Sequence, residues 1–416
     1  MRAGRMAAGQ MIGRLGDFAR HGCCLLAMLA FLAPASGGAG SPATASKPNA
    51  AVPPNLAAAM ATYRHDLEIY LQAQASYTAA VSAYWNSIAE KRRLRNAKRS
   101  RGEPLAIEDY VLVQPPVYTG PPRPRDPSKP NEEAPPPRIP YVPVVADFLA
   151  ASQREYKFVP RMPQSESQYK LAYASVARAA GLTRDQAVRV YSFESTGNGN
   201  YDIQAGLEFN KHARAITTAL GYNQLLATNT VEILAEDGNR FIKDLRAAAA
   251  RMPDGEGQGI ENKAIESKVA VLRKMVDFAR SVPDEWSSHE QLAGTQKGLA
   301  IHALNLDIDV GPMLQTQKLM DSVLFARRKG YGGVLTAAEL EMMNLTGDGN
   351  GFDMVSMPAE WRDKVPTANF FQRSGYRENP VAQRNNVVSK LLAATDARMD
   401  NEVKKPGAKA LAAAFR

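Results

Sequence analysis

Thirteen of the chain's 27 prolines fall between Pro104 and Pro143, and this clustering limits the fold more than any other feature of the 416 residues. Proline has no backbone N–H and a fixed φ, so neither a helix interior nor a central strand forms across such a stretch. Pro115-Pro116, Pro121-Pro122 and Pro135-Pro136-Pro137 predict a polyproline-like tether, a proline-rich linker over residues 102–144. At about 3.1 Å per residue, the part from Pro115 to Pro143 reaches on the order of 80 Å. The tether divides the chain into an N-terminal and a C-terminal part, and residues 56–143 are expected to position the latter without sharing in its chemistry.

Near the N-terminus, Arg2, Arg5, Arg14 and Arg20 precede an apolar run from Cys23 to Leu32, and Ala33-Pro34-Ala35 offers the small residues that a signal peptidase reads. Residues 1–35 therefore read as a signal peptide, which places the mature chain in the periplasm or cell envelope. The run falls short of the roughly twenty apolar residues that a bilayer span requires. Cys23 and Cys24 are the only cysteines, so disulfides, cysteine-ligated metals and cysteine nucleophiles drop out after them. Without residues 1–35 the chain keeps 47 of its 51 basic and 41 of its 42 acidic residues. A mildly basic exported protein meets anionic envelope material, lipid headgroups or wall-peptide carboxylates, and no nucleic acid is expected as a partner.

Residues 36–55, rich in Ala, Pro, Gly and Ser, read as a flexible leader. From Met60 a seven-residue repeat sets in. Met60, Leu67, Gln74, Val81 and Ile88 share one position, and Tyr63, Tyr70, Tyr77 and Tyr84 stand three residues later. This a/d pattern predicts a long heptad helix over residues 56–101. Tyrosine is bulky and its hydroxyl needs a partner, so the stripe suits an alanine-rich or irregular surface better than a tight parallel dimer. That surface belongs either to the protein's own body or to another chain, whether an envelope protein or a second copy. Lys91–Arg101 has seven basic residues in eleven and reads as a solvated helix end, favoured by the helix dipole.

From residue 145 to about 396 helical punctuation dominates, and Tyr201–Phe209 is the one strand candidate, in a short hairpin or irregular loop. A mainly α domain of roughly 250 residues is expected, followed by a C-terminal tail over 397–416. The histidines at 65, 212, 289 and 302 are scattered, and neither a phosphate loop nor a nucleophile elbow occurs, so no metal or cofactor is expected. Carboxylate acid–base chemistry remains. Thr183 and Gln186 are spaced as a capping box that opens a helix. Ala187, Val190, Tyr191 and Glu194 then fall on one stripe, and Gly197 ends the helix. A glutamate on an apolar stripe, at the negative end of the helix dipole, resists ionisation and suits a general acid.

Glu194-Ser195, Gly221-Tyr222-Asn223-Gln224-Leu225-Leu226, and Asn229-Thr230 at a helix start resemble the soluble lytic transglycosylases and goose-type lysozymes. Glu341-Met342-Met343-Asn344-Leu345-Thr346-Gly347 is similar to that superfamily's Ala-Tyr-Asn-Ala-Gly segment, with Met343 in place of the tyrosine. Val365-Pro366-Thr367-Ala368-Asn369 and Tyr376 echo a later stretch, and Tyr201–Gly206 fills a gap between Glu194 and Gly221 that is longer than the family's. The likeness covers about residues 170–390. It implies a lysozyme-like fold and cleavage between N-acetylmuramic acid and N-acetylglucosamine, with Glu194 as sole acid and base and 1,6-anhydro ends as product. It also implies substrate contacts at Ser195, Tyr222, Gln224, Asn344 and Tyr376. A hydrolytic mechanism would need a second carboxylate, for which Asp202 is the nearby candidate. Thr346–Asp353 resembles part of a calcium loop but lacks its first and last ligands. The alternative function is a non-catalytic wall-binding or scaffolding protein that retains the cleft.

Overall fold

A computed structural model describes residues 54–129, 140–207, 214–251 and 258–415. The expected signal peptide and nearly all of the leader lie outside the described residues. Among the described residues all regular structure is helical, as the mainly α expectation requires. Pairing is confined to isolated bridges, one of which, Gln204 to Leu220, sits in the irregular segment after Tyr201. No described helix is long and apolar enough to cross a membrane.

Sixteen α-helices are described. The first eight are α1 (Pro54–Arg101), α2 (Val145–Tyr156), α3 (Glu166–Ala180), α4 (Arg184–Glu194), α5 (Ala227–Ala249), α6 (Gln258–Ala279), α7 (Trp286–Ala293) and α8 (Gln296–His302). There follow α9 (Gly311–Arg328), α10 (Ala337–Thr346), α11 (Asp348–Val355), α12 (Ala359–Arg362), α13 (Arg373–Arg377), α14 (Pro380–Arg384), α15 (Val388–Glu402) and α16 (Pro406–Ala414). The chain forms two compact units, each from separated segments. The larger takes Pro143–Gly349 and Met399–Arg416, and the smaller takes residues 54–142 with Asn350–Arg398. These bounds differ from a single domain over 145–396 with a free tail, because residues 350–398 complete the smaller unit and α16 packs on α3 and α4 of the larger one.

In the smaller unit α1 is one continuous helix of 48 residues. Val81, Tyr84, Ile88 and Arg95 are buried along it. The described part of the proline-rich segment is no free tether. Tyr118 packs edge-on against Tyr70 and Tyr77, with ring centroids 6.4 and 5.4 Å apart, and the Tyr84 hydroxyl donates to the Val113 carbonyl. Proline leaves its carbonyls free to accept and cannot fold the segment away, so an extended chain along a tyrosine-lined helix satisfies both partners.

The basic run is likewise not a solvated end. Arg95 is fully buried. Its Nε donates to Asp353 Oδ2 at 3.0 Å, its Nη1 to the Asp109 carbonyl at 3.0 Å and its Nη2 to the Asn369 carbonyl at 3.2 Å. Arg99 joins it on Asp353, while Lys98 holds both oxygens of Asp109. Burial pushes the Asp109 carboxyl up, but the Lys98 ammonium and the Ala106 N–H outweigh that and hold it below the usual range. A cation is tolerated in such a place because every direction of its planar fork meets an acceptor. The Thr346–Asp353 segment is correspondingly helix, Gly347, then helix, and not a calcium loop.

The larger unit is centred on the α5–α6 pair, where Leu234, Phe241 and Leu245 meet Ile265, Leu272 and Val276. A second cluster joins Phe148 and Ala151 of α2 to Leu299 and Ala300 of α8. Burying an aliphatic or aromatic side chain of this kind stabilises by about 1.5–3 kcal/mol. These clusters fix the elements on which the site residues stand.

Candidate functional site

The expected capping box opens α4: Thr183 Oγ1 accepts from the Gln186 N–H, and Gln186 Oε1 accepts from the Thr183 N–H. Ala187, Val190 and Tyr191 are fully buried, and Glu194 is the last residue of the helix, half-buried. The stop beyond it is abrupt. Thr196 and Gly197 both have left-handed backbone, at φ +54° and +69°. A Cβ on Gly197 would stand 2.3 Å from the Glu402 carbonyl oxygen, because the end of α15 crosses there, and the Ala408 N–H donates to the Gly197 carbonyl. The segment expected as a tail thus clamps the turn that carries Glu194.

Asn344 on α10 reaches across to this helix end, its Nδ2 donating to Glu194 Oε1 at 3.1 Å. The two are 150 positions apart in sequence. One turn before Asn344 on the same face stands Glu341, with no exposed surface. Burial drives its carboxyl well above the usual glutamate range, and the adjacent Glu194 adds to this through its charge and a hydrogen bond, whereas Asn344 and Lys318 act in the opposite sense. Glu341 was not among the residues singled out from sequence. The signal available in sequence was its place one turn before Asn344, among the apolar Leu340, Met342 and Met343.

The Gly-x-x-Gln element is a tight turn whose ends pair, Leu220 with Leu225. Gly221 takes φ +83°, and a Cβ there would lie 2.4 Å from Gln315 Nε2. Gln315 pins the turn, donating to the Leu220 carbonyl and accepting from the Asn223 N–H. Behind it, Asn305 bonds Gln315 and the Thr230 hydroxyl, which pairs with the ring of His302. Gln315, Asn305 and His302 were invisible as partners in sequence because they come from elements 75 or more residues downstream of the turn.

Four expected substrate contacts are placed elsewhere. Tyr222 is fully buried among Tyr169, Tyr173 and Tyr191, and its hydroxyl donates to Glu166. No sugar can stack on it. Ser195 is buried and donates to the Tyr191 carbonyl. Gln224 turns its amide back onto the Gly221 and Ile203 carbonyls. Tyr376 belongs to the smaller unit, where it is buried against Trp85 and Phe371. Asp202 is exposed, and the acid that faces it is Glu166, not Glu194.

A cavity of about 40 Å³ borders Asn344 and Met343, and a larger one of about 540 Å³ lies alongside, with Glu236 and Asp321 lining both. Arg280, Arg328 and Asp237 face the larger. Glu194 lines neither. Carboxylate oxygens of Glu236, Asp237 and Asp321 approach within 4.8 Å of one another. Comparison with protein-family models, with characterised proteins and with solved structures finds no match to this chain.

Proposed function

We propose that the larger unit is a lysozyme-like lytic transglycosylase domain acting on peptidoglycan in the periplasm or cell envelope. The observation that carries this reading is the bond from Asn344 to Glu194, which joins the first and third resembling segments at one point. Glu194 protonates the leaving oxygen as the glycosidic bond breaks. The resulting carboxylate takes the proton of the muramoyl 6-hydroxyl while that oxygen closes on the anomeric carbon, and the product ends in a 1,6-anhydro ring without water. Asn344 orients the carboxyl throughout. The smaller unit, built on the heptad helix, is the part that meets an envelope partner or a second copy.

The second reading, a non-catalytic wall-binding or scaffolding protein, is favoured by the absence of Glu194 from both cavity walls and by the burial of Ser195 and Tyr222. Digestion of purified wall sacculi separates the two. The expected products are lighter by one water than hydrolysis products, and Glu194→Gln is expected to slow their release by about 10² or more. Reducing ends would assign hydrolysis, and equal activity of the variant and parent would remove Glu194 from the chemistry.

A further inference from the structure

Glu341 has no exposed surface, and neither of its side-chain oxygens makes a hydrogen bond of normal geometry among the described residues. An ionised carboxylate in that position would lose its water for little compensation, at a cost that few other buried groups carry. The groups facing it are Glu194 from the end of α4, Lys318 from α9 and, on its own helix, Asn344. Asn344 donates one N–H to Glu194, and its amide and the Lys318 ammonium favour the Glu341 anion less than burial and Glu194 oppose it. Two carboxyl groups that interact this strongly do not both ionise, and one proton stays with the pair. Since Glu341 is the fully buried member and Glu194 only half-buried, the charge falls on Glu194.

We propose that Glu341 is the proton-bearing partner of Glu194: it stays a carboxylic acid at neutral pH and donates its O–H to the Glu194 carboxylate, so that the two side chains act as one unit. Its role in the reaction rests on the transglycosylase reading above. The active form of the unit then carries two protons. Glu194 gives its own to the leaving oxygen, the C1–O4 bond breaks, and the new carboxylate is held by the O–H of Glu341 and the N–H of Asn344. When O6 bonds to C1, the 6-hydroxyl proton returns to Glu194 and both protons are restored. Glu341 is thus a positioning residue that steadies the conjugate base and never meets substrate. Activity should fall as pH rises through loss of the first proton, because the one-proton unit can accept but not donate at Glu194.

The test is infrared spectroscopy of the full chain labelled with ¹³C-carboxyl glutamate, which leaves aspartates with a raised carboxyl, such as Asp321, out of the signal. At pH 7 the parent is expected to show a protonated glutamate band that vanishes in Glu341→Gln and persists in Glu194→Gln, with circular dichroism confirming that both isosteric variants are folded. No such band in the parent, a band that survives Glu341→Gln, or one lost in Glu194→Gln overturns the proposal. In parallel, the alkaline limb of wall cleavage should move up by roughly one pH unit in Glu341→Gln, since an amide N–H is the weaker donor to the carboxylate. A chain with the expected band but no wall cleavage would retain the carboxyl assignment and lose the transglycosylase reading.

Discussion

His302 and Glu341 make stability depend on pH in opposite directions. The imidazole of His302 is buried, with Nε2 on the Thr218 carbonyl and Nδ1 on the Thr230 hydroxyl. Burial lowers its pKa to about 4, the Thr218 carbonyl working the other way. Between pH 6.5 and about 4 the unfolded chain takes up a proton that the folded one refuses, so stability falls as pH drops, by about 1.4 kcal/mol per unit. Glu341, with a raised pKa, behaves inversely: the folded chain keeps a proton that the unfolded chain releases, and stability falls as pH rises above the ordinary glutamate range. Urea unfolding from pH 4 to 8 should therefore show His302→Gln with a flatter acid side, and Glu341→Gln gaining on the parent as pH rises. A parallel pair of curves for Glu341→Gln and parent would show that Glu341 ionises freely. Of these residues only Glu194 and Asn344 were legible beforehand as site members, because short motifs report residues that follow one another. The partners of Glu194 and of the Gly221 turn arrive from other helices, and their burial is a property of packing that one sequence does not print.

At the scale of elements, the turn after Glu194 depends on the last helices of the chain. Gly197→Ala would combine a left-handed backbone with a Cβ 2.3 Å from the Glu402 carbonyl, and the expected loss is about 1–3 kcal/mol, read from thermal or urea unfolding. Removing residues 403–416 takes away the Ala408 N–H bond to Gly197 and the cover that α16 gives α3 and α4, so faster amide exchange is expected over residues 194–199. Unchanged exchange would mean that the turn holds without its clamp. The capping box of α4 and the stop at Gly197 could be read from sequence because caps are local chemistry. The clamp could not, since an Ala- and Lys-rich terminal stretch carries no local sign of what it covers. The same limit explains the proline segment: its extended form followed from covalent geometry, whereas its lodging on Tyr70 and Tyr77 did not.

At the scale of the whole molecule, the smaller unit is assembled from two stretches separated by more than two hundred residues. A tether would let a chain starting at Pro143 fold intact. The structure predicts otherwise: such a chain lacks Arg95 and Arg99, leaving buried Asp353 without its cations, and lacks Val111, whose backbone N–H and carbonyl pair with the Asn369 side chain. Protease cleavage within residues 350–398 is expected in the truncated chain and not in the parent, and equal resistance would restore the tether. The Arg95–Asp353 pair also has a meaning in time. The partners are 258 positions apart, so at a synthesis rate of about 5–20 residues per second the cation waits roughly 13 to 50 s for its anion. During that interval α1 presents its tyrosines and guanidinium groups with only the proline segment to cover them. Until residues 350–398 have been made, the first helix of a newborn chain keeps open the face that it later closes.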